Sequence, residues 1–168
     1  MGKPRIAILV ALLSCCFVAA CQKGDGWKEY KYRDDGFAIS APSKPIPAPP
    51  SPEEPNTRAY GLNYGDRTMV VIAAGKLDMF EELSDKEKLQ RLKDLLVRGT
   101  SSKLVSEKEI SLGGNPGIDF EIEAYADHSC SRYYIVDGKF LALQSYAPSG
   151  APFAVDTDRI FDSLRLLR

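Results

Sequence analysis

A chain of 168 residues, 44% of them apolar, is long enough to bury one real core, so a single domain is expected once any leader is set aside. The 22 basic and 23 acidic residues leave a net charge of −1, which argues against nucleic-acid binding and against polybasic attachment to lipid. Four cysteines, three of them within the first 21 residues, exclude a disulfide-stapled scaffold.

The start Met1-Gly2-Lys3-Pro4-Arg5 is basic, and Ile6 to Ala20 is nearly all apolar. That run is too short and wrongly flanked for a stable bilayer span, so residues 1–20 read as a secretory leader. It closes on Val18-Ala19-Ala20-Cys21, which resembles the bacterial lipobox, where small residues precede a cysteine that is diacylated before cleavage. Cys21 is therefore the expected lipidation site. The alternatives are an ordinary secretory cut after Ala20 and an uncleaved anchor. Leu12-Leu13-Ser14-Cys15 is a poorer match because Leu13 is bulky, and Cys16 has no such tetrad. Two or three acyl chains such as palmitate hold a protein stably where one does not. By the same resemblance, Gln22 in place of an aspartate directs the protein to the outer membrane, facing the periplasm, in a host with two membranes. Residues 21–26 form a short polar tether.

Loss of Lys3 and Arg5 with the leader leaves 20 basic against 23 acidic residues. Cys15 and Cys16 leave too and Cys21 is consumed as a thioether, so Cys130 stands alone and no internal disulfide forms. Cys130 reads as a small buried hydrophobe; a reactive or intermolecular thiol is the alternative.

The domain spans residues 27–168. Trp27 to Tyr32 alternates aromatic and charged residues, Arg33-Asp34-Asp35-Gly36 supplies a turn, and Phe37 to Ala41 forms a second strand with Phe37 and Ile39 on one face. Seven prolines lie between Pro42 and Pro55. This stretch, 42–56 with its flank, reads as a stiff polyproline II crossing outside the sheet, or as a docking site through its P-x-x-P spacings. Tyr60, Leu62 and Tyr64 then alternate, Gly65-Asp66-Arg67 turns, and Met69 to Ala74 returns as an apolar run suited to a central strand covered on both faces, with a helix on at least one.

Ser84-Asp85-Lys86-Glu87 has capping-box spacing. Behind it Leu89, Leu92, Leu95 and Leu96 form a stripe with Lys88, Gln90, Arg91, Lys93 and Asp94 outside it, and Gly99 is the stop. Strand signals resume at Leu104-Val105 and Ile110, break at Leu112 to Gly117, and continue from Ile118 to Ala124, where Ile118, Phe120 and Ile122 alternate with Asp119, Glu121 and Glu123. Tyr133 to Val136, Asp137-Gly138 and Lys139 to Leu143 predict a hairpin with a type I′ turn. Phe153, Val155, Ile160, Phe161 and Leu164 predict a C-terminal helix capped by Asp156 or Thr157, and Leu166-Leu167 a final apolar end against the core.

Few residues offer chemistry. Asp119, Glu121 and Glu123 could hold a metal, but read better as a solvated outer face paired with Arg132 or Lys139. His128, the only histidine, and Cys130 share a strand face, which suits half of a metal site; no second cysteine or histidine completes a structural zinc site. Gly113-Gly114-Asn115-Pro116-Gly117 lacks the lysine of a phosphate loop, and Asp156-Thr157-Asp158 lacks the glycine and glutamate of a calcium loop. No cofactor, metal or catalytic residue is expected.

The opening Trp/Tyr segment, Gly36-Phe37-Ala38-Ile39-Ser40-Ala41-Pro42, the long helix, the Gly114-Asn115-Pro116-Gly117 turn, Arg132-Tyr133-Tyr134 and the ending Phe161-Asp162-Ser163-Leu164-Arg165-Leu166 together resemble the PsbP-like superfamily. Its bacterial members include many small exported lipoproteins. The resemblance implies an α+β fold, a twisted and mainly antiparallel sheet with helices packed on it in an α/β/α sandwich. It also implies binding to larger protein assemblies without catalysis. The expectation is a membrane-anchored envelope lipoprotein, not an enzyme, that meets an envelope protein through surface aromatics and loops. The alternative is a small-ligand or lipid-binding lipoprotein with a cleft between sheet and helix.

Overall fold

The computed structural model describes residues 26–49, 56–64, 68–76 and 80–167. In chain order its elements are β1 (Lys28–Tyr32), β2 (Phe37–Ala41), β3 (Ile46–Pro47), β4 (Thr57–Asn63), β5 (Met69–Lys76), α1 (Asp85–Gly99), β6 (Lys103–Leu112), β7 (Asn115–Glu123), β8 (Asp127–Val136), β9 (Lys139–Pro148), α2 (Thr157–Asp162) and β10 (Arg165–Leu166). The expected sheet is two sheets, one in the order β3-β4-β5-β9-β8-β7-β6 and a smaller one in the order β1-β2-β10. Every pairing is antiparallel, as the short turns demand.

Strand alternation divides the core. Toward one face of the large sheet point Tyr60, Leu62, Val70, Ile72, Tyr134, Leu141 and Leu143, which pack on Phe37 and Ile39 of β2 and on Ile160 and Phe161 of α2. Toward the other point Ile118, Phe120, Ile122, Tyr133, Ile135 and Ala142, covered by Leu89 of α1. The three layers are thus the small sheet with α2, the large sheet, and α1. Gly117 of β7 stands directly opposite Tyr134 of β8, whose ring takes the space a Cβ there would need.

Local signals fix the turns. Asp137 and Gly138 both take positive φ, 49° and 72°, as a type I′ hairpin requires. At α1 the Ser84 hydroxyl accepts from the Glu87 amide while the Ser84 amide donates to Glu87 Oε2 at 2.8 Å, completing the capping box.

Three expectations change. The predicted leucine stripe of α1 is one residue out on each side: Leu89, Leu92, Leu96 and Val97 face the sheet, Leu95 is exposed, and Lys93 is buried. At about 100° per residue Lys93 lies only about 40° from Leu89 on the helix surface, whereas Leu95 lies about 120° away. The proline-rich stretch does enter the sheet at its described end, because Ile46 and Pro47 pair with Gly61 and Tyr60 and the Ala48 amide donates to the Ala59 carbonyl at 2.8 Å. An edge strand tolerates proline, since its outward side needs no donor; residues 50–55, with the rest of the P-x-x-P motifs, lie outside the described residues. Finally, β5 is central but α1 sits over β7 and β8, so the buried face of β5 is covered by the small layer, β2 together with α2, and not by α1.

The buried Lys93 ammonium is answered by Glu107 of β6, which also accepts from Gln90 at 2.8 Å. Lys93 and then Gln90 hold the Glu107 carboxyl below its ordinary value. A depressed folded-state pKa gives stability that is complete above the unfolded-state value, about 4.3 for glutamate, and is lost as pH falls through the folded one. Glu107→Gln is therefore expected to flatten the acid side of the stability profile below about pH 4, read as urea midpoints at successive pH values. A profile parallel to the wild type would show that the pair is not linked to folding.

Candidate functional site

Cys21 lies outside the described residues, so the chemistry that can be placed is that of the domain. Register puts Asp119 opposite Arg132, Glu121 opposite Cys130 and Glu123 opposite His128. Directly opposed residues share a face, so the acidic row and the His128/Cys130 pair meet on one surface of the sheet.

The expected Asp119–Arg132 pair is present and Glu123 is exposed, but the Asp119 end of the row is covered and not solvated. Arg132 donates from Nε to Asp119 at 3.0 Å and from an Nη to Asp162 of α2 at 2.6 Å, with its guanidinium 5.4 Å from the centre of the Phe161 ring. Arg132 thus ties the small layer to the large sheet, and the Asp119 side chain is only 20% exposed. Lys108 approaches Asp119 from β6 at 3.4 Å. Lys139, the other expected partner, stands at the far end of its strand opposite Val136 and Lys76 and serves none of the three carboxylates.

His128 is committed as well. Its Nε2 lies 2.8 Å from the Ala151 carbonyl, which can only accept, so that nitrogen carries the proton. Its ring stacks on Phe153 at 4.2 Å, and Nδ1 faces Glu121 at 3.9 Å. The arrangement pins the loop after β9 to the end of the sheet. Cys130 is a free thiol, and burial first, then the carboxylates of Glu121, Asp119 and Asp158, push its pKa up to about 12. A thiolate is the reactive form. Native protein at pH 8 is therefore expected to resist alkylation at Cys130 and to react within minutes in denaturant; equal rates in the two conditions would contradict this placement. Among the described residues no three His, Cys, Asp or Glu side chains are arranged to hold a metal ion.

A sizeable recess lies at the opposite end of the domain. A groove of about 550 Å³ runs between the C-terminal strand and the tips of the β6–β7 and β8–β9 hairpins. Leu112, Val136, Leu141, Leu164, Leu166 and Leu167 give it an apolar floor. It adjoins a second recess of about 190 Å³ lined by Asp34, Asp35, Arg58, Lys76 and Lys139, with Asp35 and Lys139 common to both. Lys76 and Lys139 are directly opposed across β5 and β9. Arg58 is held by Asp35 at 2.6 Å, and Asp35 also accepts from the Tyr60 hydroxyl at 2.6 Å. The groove forms between two sheets, not between sheet and helix, because β10 returns beside β2. Nothing in the local sequence announced it, although Leu166-Leu167 was legible as a buried end.

No family model and no curated protein matches the chain. Among solved structures the chain is similar to cyanobacterial PsbP (CyanoP) from Synechocystis sp. PCC 6803, with 10% identity and a TM-score of 0.59 over 83% of this chain and 92% of that one. It is also similar to LpqN, involved in cell envelope biogenesis of Mycobacterium tuberculosis, with 13% identity and a TM-score of 0.47 over 84% of this chain and 92% of that one. A protein from Bacteroides thetaiotaomicron VPI-5482 has 12% identity and a TM-score of 0.46, covering 84% of this chain and 48% of that one. The first likeness establishes the class: an α+β protein with the PsbP-like fold. At that level of identity it is the backbone that is shared, and the residue roles above are this chain's own.

Proposed function

We propose that this chain is a lipid-anchored protein of the bacterial cell envelope that acts as a non-catalytic interaction module and docks on an envelope protein. In a host with two membranes it sits on the outer membrane and faces the periplasm. The observation that carries the reading is the structural engagement of Asp119, His128 and Cys130, three of the side chains singled out for chemistry. Asp119 is tied to Arg132, His128 holds Ala151, and the Cys130 thiol is protonated at neutral pH. The Val18 to Cys21 tetrad supports the anchor, and the PsbP-like fold supports the module. No described helix is long and apolar enough to cross a membrane, so attachment through Cys21 would supply the membrane association. Intact mass of the protein extracted from membranes tests the anchor: a mature chain beginning at an acylated Cys21 is expected, and a retained leader or an unmodified Cys21 would overturn it.

The groove favours a second reading. An apolar floor with Lys139 at its rim, Lys76 beyond it and Asp35 and Asp137 alongside suits a small amphiphile with a polar head. Mass spectrometry of the gently purified protein separates the readings, since only the second expects a lipid or fatty acid released in stoichiometric amount.

A further inference from the structure

Of seven large apolar side chains that stand exposed among the described residues, six lie at one end of the domain: Met69, Leu95, Leu104, Val105, Tyr125 and Val155. The strand registers show this. Lys103 pairs with Glu123, Glu123 with His128, Asp127 with Pro148, and Met69 with Tyr146, which brings the starts of β5, β6 and β8 and the ends of β7 and β9 to the same level. Leu95 is in the last turns of α1, which feeds β6 at that level. Tyr125 occupies the β7–β8 turn and is fully exposed; Val155, at 94%, precedes α2. Such side chains are costly in water, and six at one end call for a cover.

The tether leaves from the same half. β1 runs from Lys28 toward the turn at Arg33 to Gly36, which lies by the groove at the opposite end. The chain therefore enters the domain at Trp27, whose ring lies 3.8 Å below the Arg159 guanidinium of α2. α2 itself begins at Thr157, bonded to Ser145 near the end of β9 at 3.0 Å. From Cys21 to Gly26 is five residues, at most about 18 Å when fully extended.

We infer that this end of the domain rests on the lipid surface beside its own anchor, with Tyr125 and Val155 dipping into the headgroup region and the groove directed away from the membrane. The inference rests on lipidation at Cys21. A surface formed of Tyr, Val, Leu and Met suits the interface, where an aromatic ring can bury its body and keep its hydroxyl wet. Charge selects between lipids. Around the patch Arg98 and Lys103 alternate with Glu123 and Asp127, so contact is through apolar insertion and needs no anionic lipid.

Single-tryptophan variants test it. Mature chains with Cys130→Ser and Trp27→Phe, coupled through Cys21 to a maleimide lipid in phosphatidylcholine vesicles, carry one tryptophan each through Tyr125→Trp, Val155→Trp or Lys139→Trp. Brominated phosphatidylcholine is expected to quench the first two at least about threefold more than the third, with no dependence on salt. Equal quenching at all three positions, or none at 125 and 155, would overturn the inference, and a protein crosslinked at 125 in cells without lipid quenching would assign the patch to a protein instead. Because the lipid is attached chemically, this outcome is independent of cellular acylation, which intact mass reads separately.

Discussion

Phe120→Ala is expected to lower the free energy of unfolding by about 3–5 kcal/mol, the range for removing a large buried aromatic side chain. Phe120 is wholly buried at the centre of the cluster beneath α1, with its ring edge-on to Tyr133 at 5.0 Å. Tyr133 in turn meets Phe140 edge-on at 5.0 Å and accepts from the Gln144 amide at 2.6 Å. Deleting the Phe120 ring leaves a cavity in the layer that α1 covers, whose margin the Lys93–Glu107 pair holds. No disulfide among the described residues offsets the loss. Chemical unfolding monitored through Trp27 gives the value directly, and a loss below about 1 kcal/mol would mean that α1 is not packed as described.

The second large effect concerns location. Cys21→Ser is expected to move the exported protein from the membrane fraction to the soluble one without changing its unfolding midpoint. Among the described residues the core begins to be built at Trp27 and β2. On the proposed anchor, losing this one thiol is expected to remove attachment and to leave the fold intact. Retention of the serine variant in the membrane fraction would show that the protein is held by something other than acyl chains on this residue.

Much of the fold was legible because its signals are local. The Ser84 to Glu87 spacing announces a helix start, Asp137-Gly138 a hairpin, and the alternation of Ile118, Phe120 and Ile122 a one-sided strand, each dictated by residues within a few positions of one another. What was not legible depends on distant pairing. β1 and β2 pair with each other and not with the large sheet, and β10 joins β2 across more than a hundred residues to supply one wall of the groove. The acidic row shows the same limit. Alternation states that Asp119, Glu121 and Glu123 share a face but not that α2 lies over it, so an outer surface was expected where Arg132 bridges two layers. Val155 was assigned inward on helical spacing, yet α2 begins only at Thr157 and leaves it exposed. Lys93 falls outside the leucine stripe in the sequence, and only Glu107, fourteen residues on, accounts for its burial. The Cys21 reading rests on the sequence, since it lies outside the described residues.

The measurement that tests the account most directly is crosslinking in intact cells followed by mass spectrometry, comparing the natural protein with a Cys21→Ser form that is exported but not acylated. The account predicts one envelope protein captured in stoichiometric amount, and captured only when Cys21 carries its lipid. If the same protein is captured equally by the unacylated form, or if no protein is captured while a small molecule or lipid co-purifies in its place, the tethered interaction module is contradicted.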